Sequence, residues 1–79
     1  MAFAKTEQEW AERAARHLKA ELKRAEVTYE ELAQRLREHG FSETKASIAN
    51  KLARATMTAH FLLASLAAIG CREIVLESL

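Results

Sequence analysis

Residues 27–56 read VTYEELAQRLREHGFSETKASIANKLARAT, and this stretch decides the fold of the chain. On both sides of Gly40, apolar residues recur every three or four positions, which is the spacing of the buried stripe of an amphipathic helix. Gly40 stands where a left-handed residue would end the first helix, because glycine adopts a positive φ without a steric penalty. The stretch therefore predicts two short helices joined by a tight turn.

Threonines at the spacing of helix caps predict where the helices begin. Thr6 and Thr28 are each followed three residues later by Glu, as in a capping box, where both side chains bind free backbone N–H groups. Ser42 or Thr44 is the expected cap of a third helix, and Thr58 of a fourth. We predict helices at about residues 7–25, 29–39, 43–55 and 59–69.

The end of the chain has a different pattern. Residues 61–69 are apolar almost all round, so the fourth helix is expected to lie centrally or against a second copy of the chain. Residues 73–77 are rich in aliphatic and β-branched side chains, as a strand would be. We predict an all-α fold, a compact four-helix domain over residues 1–79, with a short extended or strand-like tail that can pair with its copy in a homodimer.

Composition restricts the class of protein more than it indicates a function. The 79 residues suffice for one small domain, and 49% hydrophobic with 29% charged residues is typical of a folded globular chain. The net charge of +1 neither favours nor excludes a polyanionic partner. With a single cysteine, no apolar leader and no apolar run long enough to span a bilayer, we expect a cytoplasmic protein without a membrane partner.

No arrangement of residues in the sequence suggests catalysis. The chain contains no aspartate, and its two glycines are too few for a phosphate-cradling loop. Three histidines and the single cysteine lack metal-ligand spacing: His17, His39, His60 and Cys71. We therefore predict no catalytic residue, no metal site and no cofactor, and a protein that is not an enzyme.

The helix pair around Gly40 has the layout of a helix-turn-helix, whose second helix can enter the major groove of DNA. At about 100° per residue, Ile48 and Leu52 would face the core and leave a polar edge opposite them. Along such an edge Arg can donate two bonds to guanine, Asn can pair with adenine, and Lys can neutralise phosphate. The predicted base-facing residues are Ser47, Asn50, Lys51 and Arg54, and those near the DNA backbone are Ser42, Thr44 and Lys45.

Residues 18–36, LKAELKRAEVTYEELAQRL, resemble the opening of phage-repressor-type (Cro/Xre-like) helix-turn-helix domains, with a Thr-capped second helix and a Leu-Ala pair. ASIANKLARAT then resembles their recognition helix, and TAHFLLASLAAIG the helix that closes the core. The interval from Leu36 to Ile48 is longer than in typical members. The whole chain also resembles a group of short uncharacterised bacterial proteins with TYEELA in the middle and AIGCRE near the end. The resemblance implies a small transcriptional regulator that binds double-stranded DNA as a homodimer.

Other features favour a helical protein-interaction or dimerisation module without nucleic-acid binding. The charge is near neutral, the fourth helix is very apolar, and Glu43 beside the proposed contact edge would repel phosphate. The first helix carries a basic ridge that is either a solvated surface or a track for a DNA backbone: Arg13, Arg16, Lys19, Lys23 and Arg24. Cations gathered beside Lys51 and Arg54 would favour DNA binding, whereas glutamates there would favour the interaction module.

Overall fold

A computed structural model describes residues 3–79, and these fold into four α-helices followed by a short turn. The helices are α1 (Glu7–Ala25), α2 (Tyr29–Arg37), α3 (Lys45–Arg54) and α4 (Ala59–Ala68), and a 3₁₀ turn follows at Leu76–Ser78. The radius of gyration of 12.1 Å is that of a compact domain. The prediction of a compact, all-α, four-helix fold is therefore confirmed for the described residues.

All four helices begin at a threonine. The hydroxyl of each cap accepts a hydrogen bond from the backbone N–H three residues later: Thr6, Thr28, Thr44 and Thr58. The cap of α3 is thus Thr44 rather than Ser42, and α3 starts two residues later than predicted. At the first cap, the Glu9 carboxylate accepts from the N–H of Lys5, 3.1 Å away, and not from the cap itself. Local spacing located every helix start to within two residues.

All four helices also end alike, with a backbone N–H reaching back five residues to a carbonyl in the last turn. These bonds run from Val27 to Leu22, from Phe41 to Leu36, from Thr56 to Lys51 and from Cys71 to Leu66. The geometry needs a residue at positive φ, and Gly40 supplies it after α2 with φ +86°, as predicted. After α1 and α3 the position is held by Glu26 (φ 58°) and Ala55 (φ 54°), which is why α3 ends at Arg54.

The core lies between two pairs of helices. Both α3 and α4 contact α1, and both also contact α2. Eight large side chains fill the centre: Leu18, Leu22, Leu32, Leu36, Ile48, Leu52, Phe61 and Leu66. Burying each contributes about 1.5–3 kcal/mol. In α1 the buried residues are Ala15, Leu18 and Leu22, whereas Ala25 is exposed and Trp10 stacks on Phe3 at the surface.

The tail, residues 71–79, differs from the strand-like prediction. Residues 3–79 contain no strand, and the tail runs without regular structure to Val75 before the 3₁₀ turn. Its start packs on the core through Cys71 and Ile74, and its end is bound to α1, where the Arg13 guanidinium donates to the Leu79 carbonyl oxygen at 3.2 Å. The rest of residues 3–79 offers no second strand with which the tail could pair, so side-chain packing decides the path of the tail.

Candidate nucleic-acid interface

The turn between α2 and α3 fixes how α3 is presented. Phe41, in that turn, is half-buried and meets Phe61 of α4 edge to face, with 6.2 Å between the ring centroids. On the outer side Phe41 stacks on His60 at 6.1 Å. Together with the fully buried Ile48 and the buried Leu52, this contact turns one face of α3 into the core. The opposite edge of α3 therefore faces solvent.

Two predicted base-facing residues lie open on that edge. Asn50 and Arg54 are both exposed and stand four residues apart, which is about one helical turn. Neither side chain makes a hydrogen bond or an ion pair within residues 3–79. The planar guanidinium of Arg54 and the side-chain amide of Asn50 are therefore both available to form hydrogen bonds with a partner.

The other two predicted base-facing residues are bound by Glu43. One carboxylate oxygen of Glu43 accepts from the Ser47 hydroxyl at 2.6 Å, and the other accepts from the Lys51 ammonium at 2.5 Å. The Lys51 Nζ also lies 5.2 Å from the centroid of the Phe61 ring, within cation–π range. Only 9% of the Glu43 side chain and 33% of the Lys51 side chain are exposed. Ser47 and Lys51 are thus engaged inside the molecule.

Glu43 stays ionised because of this pairing. Partial burial raises the pKa of the Glu43 carboxyl, but the hydrogen bonds from Lys51 and Ser47, with the charge of Lys51, more than offset the burial. The net result is a pKa below the ordinary value. At neutral pH the group is a carboxylate, and it cancels the positive charge nearest to it on α3.

The predicted backbone-contacting residues lie at the start of α3. Ser42 and Lys45 are exposed, and neither side chain has a hydrogen-bond partner in the described part of the chain. Thr44 is exposed too, but its hydroxyl accepts from the Ser47 N–H at 3.0 Å. The Thr44 N–H in turn donates to the Ser47 hydroxyl at 2.9 Å, which closes a capping box. Lys45 is therefore the predicted cation at the start of α3, and it is exposed to solvent.

The basic ridge of α1 meets the tail. Arg13, Arg16 and Arg24 line a cleft whose other wall is formed by tail residues such as Val75 and Leu79. This cleft was not predicted from the sequence, because an irregular tail has no periodicity that reveals where it packs. The bond from Glu43 to Lys51 was not predicted either, since the two residues are eight positions apart and the usual helical pairings span three or four.

Within residues 3–79, no group of three His, Cys, Asp or Glu side chains is arranged to hold a metal ion. Within the same residues, every helix is too short or too polar to cross a lipid bilayer.

Comparison with known proteins supports a family but no activity. No curated protein and no solved structure is significantly similar to the chain. A family described as "Domain of unknown function (DUF6471)" matches residues 10–74, a span that holds most of α1, all of α2, α3 and α4, and the start of the tail. Because this match covers well over half of the sequence, the chain belongs to the DUF6471 family.

Proposed function

We propose that this protein binds double-stranded DNA and acts as a small transcriptional regulator, with α3 in the major groove. The observation that carries the proposal is the open edge of α3. Asn50 and Arg54 stand exposed and unpaired within residues 3–79, while Ile48 on the opposite face is fully buried. α2 packs against α3 across the Gly40 turn, and this arrangement supports the resemblance to a Cro/Xre-like helix-turn-helix.

The two residues have the chemistry and the spacing to read bases. Arg54 can donate two hydrogen bonds to guanine, and Asn50 can bind both polar groups on the major-groove edge of adenine. Four residues of helix rise by about 6 Å, close to the rise of about two base pairs at 3.4 Å each. We therefore expect them to contact bases about two pairs apart, each contributing about 1–3 kcal/mol of discrimination.

The other predicted contacts take lesser roles in this proposal. Lys45, Ser42 and Thr44 lie at the start of α3, where a cation and hydroxyl groups can meet phosphate oxygens. Lys51 and Ser47 contribute less, because Glu43 already neutralises the first and accepts from the hydroxyl of the second. We expect phosphate contacts to depend on Lys45 more than on Lys51.

A homodimer would present two copies of α3 to two half-sites. α4 and the tail offer a surface for it. Leu63 is 60% exposed and borders a shallow, largely apolar groove, which is also lined by Leu66, Ala67, Cys71, Ile74 and the charged Arg72 and Glu73. We propose this surface as the contact between copies. We also propose a cytoplasmic location, since Cys71 is a free thiol.

The proposal is tested by measuring the fluorescence anisotropy of labelled DNA duplexes as the protein is added. The first duplexes come from a random-sequence pool, and the next carry the sites that the protein selects from that pool. We expect binding that weakens steeply between about 50 mM and 200 mM salt. The double variant Asn50→Ala, Arg54→Ala should bind selected duplexes at least about tenfold more weakly and lose sequence preference. The control is Lys5→Ala, which removes one exposed positive charge outside α3 and outside the α4 groove and should cost far less. Equal binding by the double variant and the wild type would exclude α3 as the reading helix.

The groove on α4 also supports a second candidate, a protein-interaction module that dimerises and binds no nucleic acid. The position of Glu43, bound to Lys51 beside the proposed DNA edge, favours the same candidate. Leu63→Glu places a charge on that groove at an exposed position, so the fold should survive while the dimer dissociates. Sedimentation measures the mass of both forms. A wild-type dimer that binds no duplex at low salt would favour this candidate, and a wild-type monomer at high concentration would exclude both the module and the proposed dimer.

A further inference from the structure

A cleft of about 430 Å³ separates α1 from the tail. Its walls combine the cationic Arg13, Arg16 and Arg24 with His17, the apolar Val75 and Leu79, and the carboxylates of Glu21 and Glu73. We propose that the cleft binds a small organic oxyanion, that is, a carboxylate or phosphate joined to an apolar body. This site is separate from the proposed DNA-reading edge of α3.

The arginines supply the positive charge and are not equivalent. Arg24 is held in an ion pair by Glu21, and Arg13 donates to the Leu79 carbonyl oxygen, so both brace the walls of the cleft. Arg16 is exposed and makes no hydrogen bond or ion pair with any described residue. Its guanidinium can bind a carboxylate or phosphate in bidentate fashion, which is the geometry that Arg favours.

His17 gives the cleft a specific hydrogen-bonding group. Its Nε2 atom is buried and has no hydrogen-bond partner within the described residues, although most buried polar atoms have one. His17 also lines the cleft, so a small shift of its ring would let the N–H of a neutral imidazole donate to an oxygen of a ligand there. A bound oxyanion would thus satisfy an atom that is costly to leave unpaired, at about 1–3 kcal/mol.

The apolar wall and the size of the cleft define the rest of the ligand. Ala20 on the α1 wall and Val75 and Leu79 on the tail wall give the cleft apolar surface, and the volume lies near the lower end of the range of about 300–1,000 Å³ for small-molecule sites. We favour a free small molecule over a phosphate of DNA, because part of the cleft wall is aliphatic. A stiff duplex contacts the outer surface and does not enter such a recess.

Phenyl phosphate and benzoate are suitable probes, and benzyl alcohol is the uncharged control. In NMR titrations of the full chain we expect saturable amide shifts in α1 around Arg16 and in the tail with both anions. Benzyl alcohol should bind at least about tenfold more weakly, since it lacks the charge that Arg16 binds. Arg16→Gln should weaken phenyl phosphate binding about tenfold, and His17→Phe should also weaken it. The control is Lys19→Gln, which removes an exposed charge from α1 outside the cleft and should change affinity less than about twofold.

Three results would overturn the proposal. One is the absence of saturable shifts with both anions at millimolar concentration. Another is that Arg16→Gln binds the anions as tightly as the wild type. This variant remains informative even if His17→Phe does not fold, because Arg16 is exposed and its replacement should not disturb the fold. The third is that a DNA duplex shifts the cleft residues while neither small anion does, which would assign these arginines to the DNA backbone.

Discussion

Glu43 binds Lys51 across the first two turns of α3, with 2.5 Å between the carboxylate oxygen and the ammonium nitrogen. The carboxylate reaches this far because Glu43 lies just before the helix cap and points along the helix rather than away from it. The contact removes one cation from the edge proposed to meet DNA. The charge presented by α3 is therefore carried mainly by Lys45 and Arg54.

Replacing Glu43 by glutamine should strengthen DNA binding. The variant removes a negative charge from the proposed interface and releases Lys51 to meet a phosphate. One additional phosphate contact steepens the slope of log affinity against log salt by about 0.9, which anisotropy titrations at several salt concentrations measure. Glu38→Gln is the matched control, since Glu38 is exposed at the end of α2 and has no hydrogen-bonded lysine to release. Identical slopes for the two variants would show that Lys51 is not held back by Glu43.

The same pair should make stability depend on pH. The pKa of Glu43 is lowered in the folded protein, so its contribution is complete above the unfolded pKa of about 4.3 and disappears as pH falls through the folded value. At neutral pH Glu43→Gln should cost about 1 kcal/mol, and the variant and the wild type should converge as pH falls below the folded pKa of Glu43. Urea denaturation at a series of pH values from neutral to strongly acidic measures this. A constant difference across that pH range would contradict the pairing.

Glu26→Gly should stabilise the protein by about 0.5–1 kcal/mol. Glu26 holds a left-handed conformation (φ 58°) at the end of α1. A residue with a side chain costs about 1–2 kcal/mol in this conformation, and glycine avoids that cost. Part of the gain is lost because glycine has more conformational entropy in the unfolded chain. Lys19→Gly, at an exposed position inside the same helix, is the opposite control and should destabilise by about 1 kcal/mol. Thermal melts of both variants show whether each substitution raises or lowers the stability of the fold. Destabilisation by Glu26→Gly would mean that the residue is not strained.

Ser65→Ala should also raise stability. Ser65 in α4 is fully buried, and its hydroxyl has no hydrogen-bond partner within residues 3–79, so removing the oxygen should gain about 1 kcal/mol. Ser47→Ala is the informative comparison, because that hydroxyl accepts from the Thr44 N–H and donates to Glu43. The second variant should lose stability, as caps do on truncation, by about 1 kcal/mol. Equal effects of the two serines in denaturation experiments would refute this difference.

Sequence alone predicted the helices well because their signals are local. Threonine caps and a glycine stop act within one turn, so residues such as Thr28 and Gly40 locate helix ends without knowledge of the fold. The period of apolar residues likewise identified Ile48 and Leu52 as the buried face of α3. Three helix ends were predicted one or two residues late, at about 39, 55 and 69 rather than at Arg37, Arg54 and Ala68. For α3 the reason is that a left-handed alanine, Ala55, has no sequence signature.

The candidate site was predicted less completely because its contacts come from different elements. Asn50 and Arg54 lie open as expected, since a helix with one buried face exposes the other. The partners of Lys51 are Glu43 in the preceding turn and Phe61 in α4, and no spacing rule connects these three. The path of the tail depends in the same way on packing against α1 rather than on its own β-branched residues.

The most direct test of the central claim is an NMR titration of the labelled protein with a selected DNA duplex. If α3 reads the groove, the largest shifts should fall on the exposed edge of α3, at the Asn50 side-chain amide and around Arg54, with smaller shifts at Ser42 and Lys45. Shifts restricted to α4 and the tail, or no saturable shift at low salt, would contradict the account.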